Sequence, residues 1–137
     1  MLRKLLSALA VPAVAGSFMS GAFAQQATRP ATQEELFTYN TMGSINVCYL
    51  VSQGVPLKKA FPASMVMIGD VIVRKHGSEI IDNKKTIKLE SRQIENGAVI
   101  GMIGNIKTIC ANNFKGEDKK EFDAQFDQIQ AAFKSGG

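Results

Sequence analysis

Few residues in this chain could do chemistry. There are two cysteines, Cys48 and Cys110, and a single histidine, His76. Cys48 lies inside the apolar run SINVCYLVSQG. A thiol oxidoreductase would want C-x-x-C or an exposed thiol in basic surroundings. A cysteine nucleophile would want a histidine beside it, and His76 is the one available. Zinc would want four ligands, commonly cysteine or histidine at short spacings. His76, Glu79 and Asp82 recur every third residue, but Gly77 stands between them and should keep them off one helical face. The series Gly97, Gly101 and Gly104 has neither the spacing nor the preceding strand of a nucleotide-binding loop. No G-x-S-x-G elbow occurs. Glu117, Asp118, Glu121 and Asp123 are interleaved with Lys119 and Lys120, as on a charged helix face. These residues supply no catalytic set and no metal set, so the expectation leans away from an enzyme, with no cofactor.

The elements that must carry these residues read as helices. Thr32-Gln33-Glu34-Glu35 fits a capping box, in which a hydroxyl accepts from the third amide and the glutamate reaches back. A helix over 32–53 follows, stopped by Gly54 and Pro56, with Cys48 on its apolar stripe. Leu57, Phe61, Met65, Ile68 and Ile72 mark a second helix. Proline inside a helix removes a bond and kinks the axis, so Pro62 is read as its start, giving 62–76. Arg74, Lys75 and His76 then fill its last turn, where cations suit the helix dipole, which places His76 at an exposed helix end. Gly77 to Lys88 reads as a surface loop. A third helix over 91–110 carries Val99, Met102, Ile103, Ile106 and Cys110. Gly97, Gly101, Gly104 and Thr108 lie beside that stripe. Glycine inside a helix costs about 1 kcal/mol against alanine, so the series suggests another backbone close by. The last helix, 117–134, has Phe122, Phe126, Ile129 and Phe133 on one face, expected to be core. The fold class is all-α: a small compact four-helix bundle-like domain with one disulfide.

The chain opens MLRKLLSALAVPAVAGSFMSGAFAQQ. Arg3 and Lys4 head an apolar run, and Ala22-Phe23-Ala24 follows as an A-x-A pattern, the layout of a cleaved signal peptide. The run is about 15 residues, shorter than the roughly 20 that span a bilayer core. Residues 1–24 are therefore read as a leader and 25–137 as a single helical domain with no membrane span. Removing the leader takes two of the 16 basic residues and none of the 12 acidic ones, leaving a net charge of +2. That balance gives no reason to expect nucleic acid as a partner. An exported chain meets an oxidising compartment, where disulfides persist. With both cysteines on apolar stripes, a Cys48–Cys110 bond is expected.

The block ELFTYNTMGSINVCYLVSQGVPLKKAFPASMVMIGDVIVRKHG, residues 35–77, resembles a group of small exported proteins of marine photosynthetic bacteria. They are often labelled class-II cyclic-AMP phosphodiesterases. The resemblance covers about a third of the chain. The label implies an αββα sandwich with two metals held by several histidines in H-x-H-x-D-H. This chain has one histidine, and none of those ligands falls on a position here. In architecture the chain also looks like periplasmic inhibitors of the immunity-protein type, which combine a leader, a helical bundle and disulfides.

The residues themselves favour a non-enzymatic binding or interaction module of the periplasm or thylakoid lumen, or outside the cell, taking a protein or a small ligand. Tyr39, Tyr49 and Met67 point away from the assigned stripes and, with His76, are the candidate binding residues. The alternatives are a cyclic-nucleotide hydrolase, as the resemblance implies, and an immunity-type inhibitor. A homo-oligomer formed through the small-residue faces is a further reading.

Overall fold

The computed structural model describes residues 28–135. The leader assigned to residues 1–24 lies outside them. Four helices follow in order: α1 (Gln33–Ser52), α2 (Leu57–His76), α3 (Ser91–Ile109) and α4 (Gly116–Ser135). A hairpin of β1 (Glu79–Asp82) and β2 (Lys85–Lys88) joins α2 to α3, and a short 3-10 turn, Ala111–Asn113, leads into α4. The fold is all-α apart from this small sheet. Helices α1, α2 and α3 pack on one another, and α4 lies against α2 and α3.

Local chemistry accounts for the helix ends. At α1 the Thr32 hydroxyl accepts from the Glu35 amide at 3.2 Å, while the Thr32 amide donates to Glu35 Oε2 at 3.1 Å. Helix α2 follows Pro56, which has no side-chain group to cap it. Its first amide, that of Leu57, instead donates to Asp118 Oδ1 of α4 at 2.8 Å. Pro62 therefore does not begin the helix: α2 starts at Leu57 and runs through the proline. Leu57, Ala60 and Phe61 are buried and hold that first turn against the core. The bond Pro62 cannot make would fall on the carbonyl of Lys58, an exposed residue that water can serve. Gly77 closes α2 in the left-handed conformation at φ 61°, which glycine adopts without steric cost.

The segment read as a surface loop is a hairpin. Ile80 pairs with Ile87 and Asp82 with Lys85. The two turn residues, Asn83 and Lys84, both have positive φ, at 46° and 64°, as a two-residue I′ turn requires. The usual Asn-Gly signal is missing there, and the strands are only four residues long, which hid them in the sequence. On the other side of β1, Ala31 makes a parallel bridge to Ile80, with Ala31 N–H to Glu79 O and Ile81 N–H to Ala31 O both at 2.8 Å. Residues 28–32 are thus strapped across the end of α2.

The core is a single cluster of apolar side chains from all four helices, among them Val47, Ile68, Met102, Ile106 and Phe122. Cys48 and Cys110 form the disulfide, with Cα atoms 5.9 Å apart and a separation of 62 in sequence. It ties α1 to the end of α3. Of the glycine series, Gly101 alone has a close neighbour: a methyl group there would collide with the Asn40 amide of α1, whereas Gly97 and Gly104 face open space. The expected close approach is therefore local to one helical turn. A second one uses Gly43, where a methyl would press into Ile68 of α2. The phenylalanine stripe of α4 also divides. Phe122 is 0% exposed and packs edge-on against Phe114, with ring centroids 5.6 Å apart. Phe133 is 63% exposed; it lies beyond Phe122, Phe126 and Ile129, the stripe residues that pack on the core.

Candidate functional site

His76 ends α2 and is 0% exposed. The residues after the helix would leave it open, but the strap of residues 28–32 covers it. Its Nδ1 lies 2.8 Å from the Arg29 carbonyl oxygen and its Nε2 lies 2.9 Å from Tyr39 Oη. A carbonyl can only accept, so Nδ1 carries the hydrogen. The phenol oxygen accepts from Lys75 Nζ at 2.9 Å, which leaves the Tyr39 hydroxyl hydrogen to donate to Nε2. Both ring nitrogens are thereby used.

Charged groups close the cluster at its surface side. The Arg29 guanidinium donates to both Glu35 oxygens, at 2.8 and 2.6 Å, and Lys75 Nζ stands 3.5 Å from Glu35 Oε1. The Arg29 contact, followed by the Thr32 amide, holds the Glu35 carboxyl down to about 2. The hydrogen bond to Tyr39 raises the Lys75 ammonium above its ordinary value. One carboxylate therefore serves the α1 cap, the strap and α2. Chemically the arrangement is a fastener: the imidazole, the phenol and the carboxylate are each bonded to other residues of the chain.

The four candidate binding residues separate into two places. Tyr39 and His76 come together inside this cluster, with ring centroids 5.7 Å apart. Tyr49 and Met67 stand at the surface, 61% and 44% exposed. Tyr49 belongs to a second stripe of α1 with Met42 and Ile45, spaced i, i+3 and i+7, and both of these are more than half exposed. Met67 precedes Ile68, which packs on Gly43, so it stands at the level of this stripe. Sequence reading found neither Met42 and Ile45 nor the parts played by Arg29 and Lys75. The i, i+3, i+7 spacing was a signal for the first pair. Nothing local marked Lys75, whose partner Tyr39 is 36 positions away, and Arg29 matters through its carbonyl's bond to His76, 47 positions on.

Among the described residues no group of three or more His, Cys, Asp or Glu is placed to hold a metal ion. No described helix is long and apolar enough to cross a membrane. Comparison with curated proteins gave no match, and comparison with solved structures gave none either. Residues 34–135, all four helices and the hairpin between them, match the family described as "Domain of unknown function (DUF8650)", while the strap residues Arg29 and Ala31 precede the matched span. With most of its length matched, the chain belongs to the DUF8650 domain family.

Proposed function

We propose that this protein is a non-enzymatic helical module of an extracytoplasmic compartment, the periplasm or thylakoid lumen, and that it acts by binding a protein partner. The observation that carries this reading is the division between its reactive and its exposed residues. Cys48, Cys110 and His76 are consumed by the fold. Large apolar side chains are instead left at the surface, Met42, Ile45 and Tyr49 on α1 and Met67 on α2. Grouped apolar side chains at a surface mark interaction sites, and tyrosine and methionine are enriched where proteins meet. The disulfide suits an oxidising compartment.

The test is capture from the exported fraction of the source cells with the wild-type chain and with a Tyr49→Ser, Met67→Ser double variant. Both positions are exposed, so the variant should keep its helical circular dichroism. A partner retained by the wild type and lost by the variant is the expected result. Turnover of cyclic AMP by the purified protein, abolished by His76→Ala, would replace this reading with that of a hydrolase.

A further inference from the structure

Helix α4 leaves part of the α2–α3 surface uncovered. Its later turns stand over a cavity of about 460 Å³ bordered by Phe61, Met65, Val99 and Ile129. Next to this lies an open groove of about 300 Å³ between α2 and α3. Met65 borders both. In the open groove the helices converge at Gly69, where a methyl would stand 3.8 Å from Ile94 Cγ2. Val66 and Val73 line it and are well exposed. Each helix contributes one carboxylate to the lining, Asp70 from α2 and Glu95 from α3. Arg74 donates to one oxygen of Asp70 at 2.6 Å. The Glu95 carboxylate has no ion-pair partner among the described residues.

We propose that this groove binds an amphipathic helix of a partner protein, one with apolar residues at i, i+4 and i+7 and with lysine or arginine along its flanks. Two observations select that occupant. Beside the groove the α2–α3 pair already takes a helix of this spacing, since α4 lies against both and packs Phe122, Phe126 and Ile129 on the core cluster. An apolar helix face laid in a groove is a recurrent mode of recognition. The second observation is charge. The Glu95 carboxylate attracts a cationic helix and repels an acidic one, whereas Asp70 on the other side is already shared with Arg74. Helix α4 carries five carboxylates against three lysines, so α4 of a second copy is the wrong sign for the site. This inference concerns a different surface from the Tyr49–Met67 stripe and stands whether or not that stripe binds.

The probe is a fluorescein-labelled 16-residue helical peptide with leucine at i, i+4, i+7 and i+11 and lysine at its flanking positions. Its counterpart has glutamate in place of lysine. Anisotropy titrations with purified protein at low salt should show saturable binding of the lysine peptide, about tenfold or more tighter than the glutamate peptide. Asp70→Lys with Glu95→Lys, both at exposed positions, should reverse the preference, and Val73→Asp should abolish binding of both peptides. Circular dichroism checks that each variant folds. Equal affinity for the two peptides, or binding indifferent to these substitutions, overturns the proposal. So does an absence of saturable binding. Self-association that rises with protein concentration and disappears in Val73→Asp would assign the groove to a second copy instead.

Discussion

The imidazole of His76 sits between Tyr39 of α1 and the backbone of Arg29, 2.9 Å from the phenol oxygen and 2.8 Å from the carbonyl. These two bonds join three parts of the chain: the strap before α1, α1 itself and the end of α2. With Nδ1 given to the carbonyl, Nε2 is the ring nitrogen left for Tyr39. The Tyr39 hydroxyl is the group that satisfies it.

Removing that hydroxyl should therefore loosen the strap. Tyr39→Phe leaves Nε2 buried without a partner, a loss worth about 1–3 kcal/mol. Urea unfolding should show a destabilisation of that size. Amide exchange at Ala31 and Ile81, which make the bridge between strap and hairpin, should accelerate more than exchange in α3. Uniform acceleration throughout the molecule would show that the bond supports only global stability.

The Glu35 cluster sets an acid dependence whose sign is determined. The carboxyl titrates near 2 in the folded chain against an ordinary 4.5, so the folded state holds this proton less tightly than the unfolded one. Its stabilising contribution is complete above about pH 4.5 and is lost as pH falls toward about 2. Glu35→Gln should lower the melting temperature at pH 7, and the gap from wild type should close across that window. A gap that stays constant from pH 7 to pH 2 would contradict the assignment.

Opening the disulfide should cost the most of any single change. The cross-link spans 62 positions, and on the chain-entropy account such a closure contributes about 4 kcal/mol. That is a large share of the 5–15 kcal/mol typical of a domain. Cys48→Ala with Cys110→Ala should shift the urea midpoint accordingly, and adding reductant should bring the wild type to the same value. Reductant should leave the double variant unmoved.

Three glycines of α3 should respond with opposite signs. At Gly97 and Gly104 a methyl meets nothing, so alanine should stabilise by about 0.5–1 kcal/mol each through helix propensity. At Gly101 the methyl runs into the Asn40 amide, and overpacking of that kind costs about 1–3 kcal/mol. Thermal unfolding of the three single variants reads this directly. Stabilisation by Gly101→Ala would mean that α1 and α3 can separate at that turn without penalty.

The parts of this molecule legible in its sequence are those governed by neighbours along the chain. The Thr32–Glu35 capping box is written in four consecutive residues. The apolar period of α2 and α4 recurs every three to four positions, and two cysteines on apolar stripes leave one pairing to make. Pro62 misled because its effect inside a helix depends on whether the preceding turn is held from elsewhere. It is held, by Asp118 and by burial of Leu57 and Phe61. The hairpin was missed for a related reason. Its strands are short, its turn lacks glycine, and part of its support is the distant residue Ala31.

Tertiary structure alone decided what His76, Gly101 and Phe133 do. A histidine at a helix end is exposed unless something crosses over it, and the crossing segment lies 47 positions earlier in the chain. Of three glycines on one side of α3, the one that matters is chosen by where α1 approaches. The last turns of α4 carry core-like spacing, yet Phe133 stays mostly exposed, since the packed part of the stripe ends at Ile129. Spacing along a chain defines which side chains share a face. Whether that face meets another surface depends on the position of elements whose contacts are distant in sequence, and in this protein that is what separates a fastened interior from an open groove.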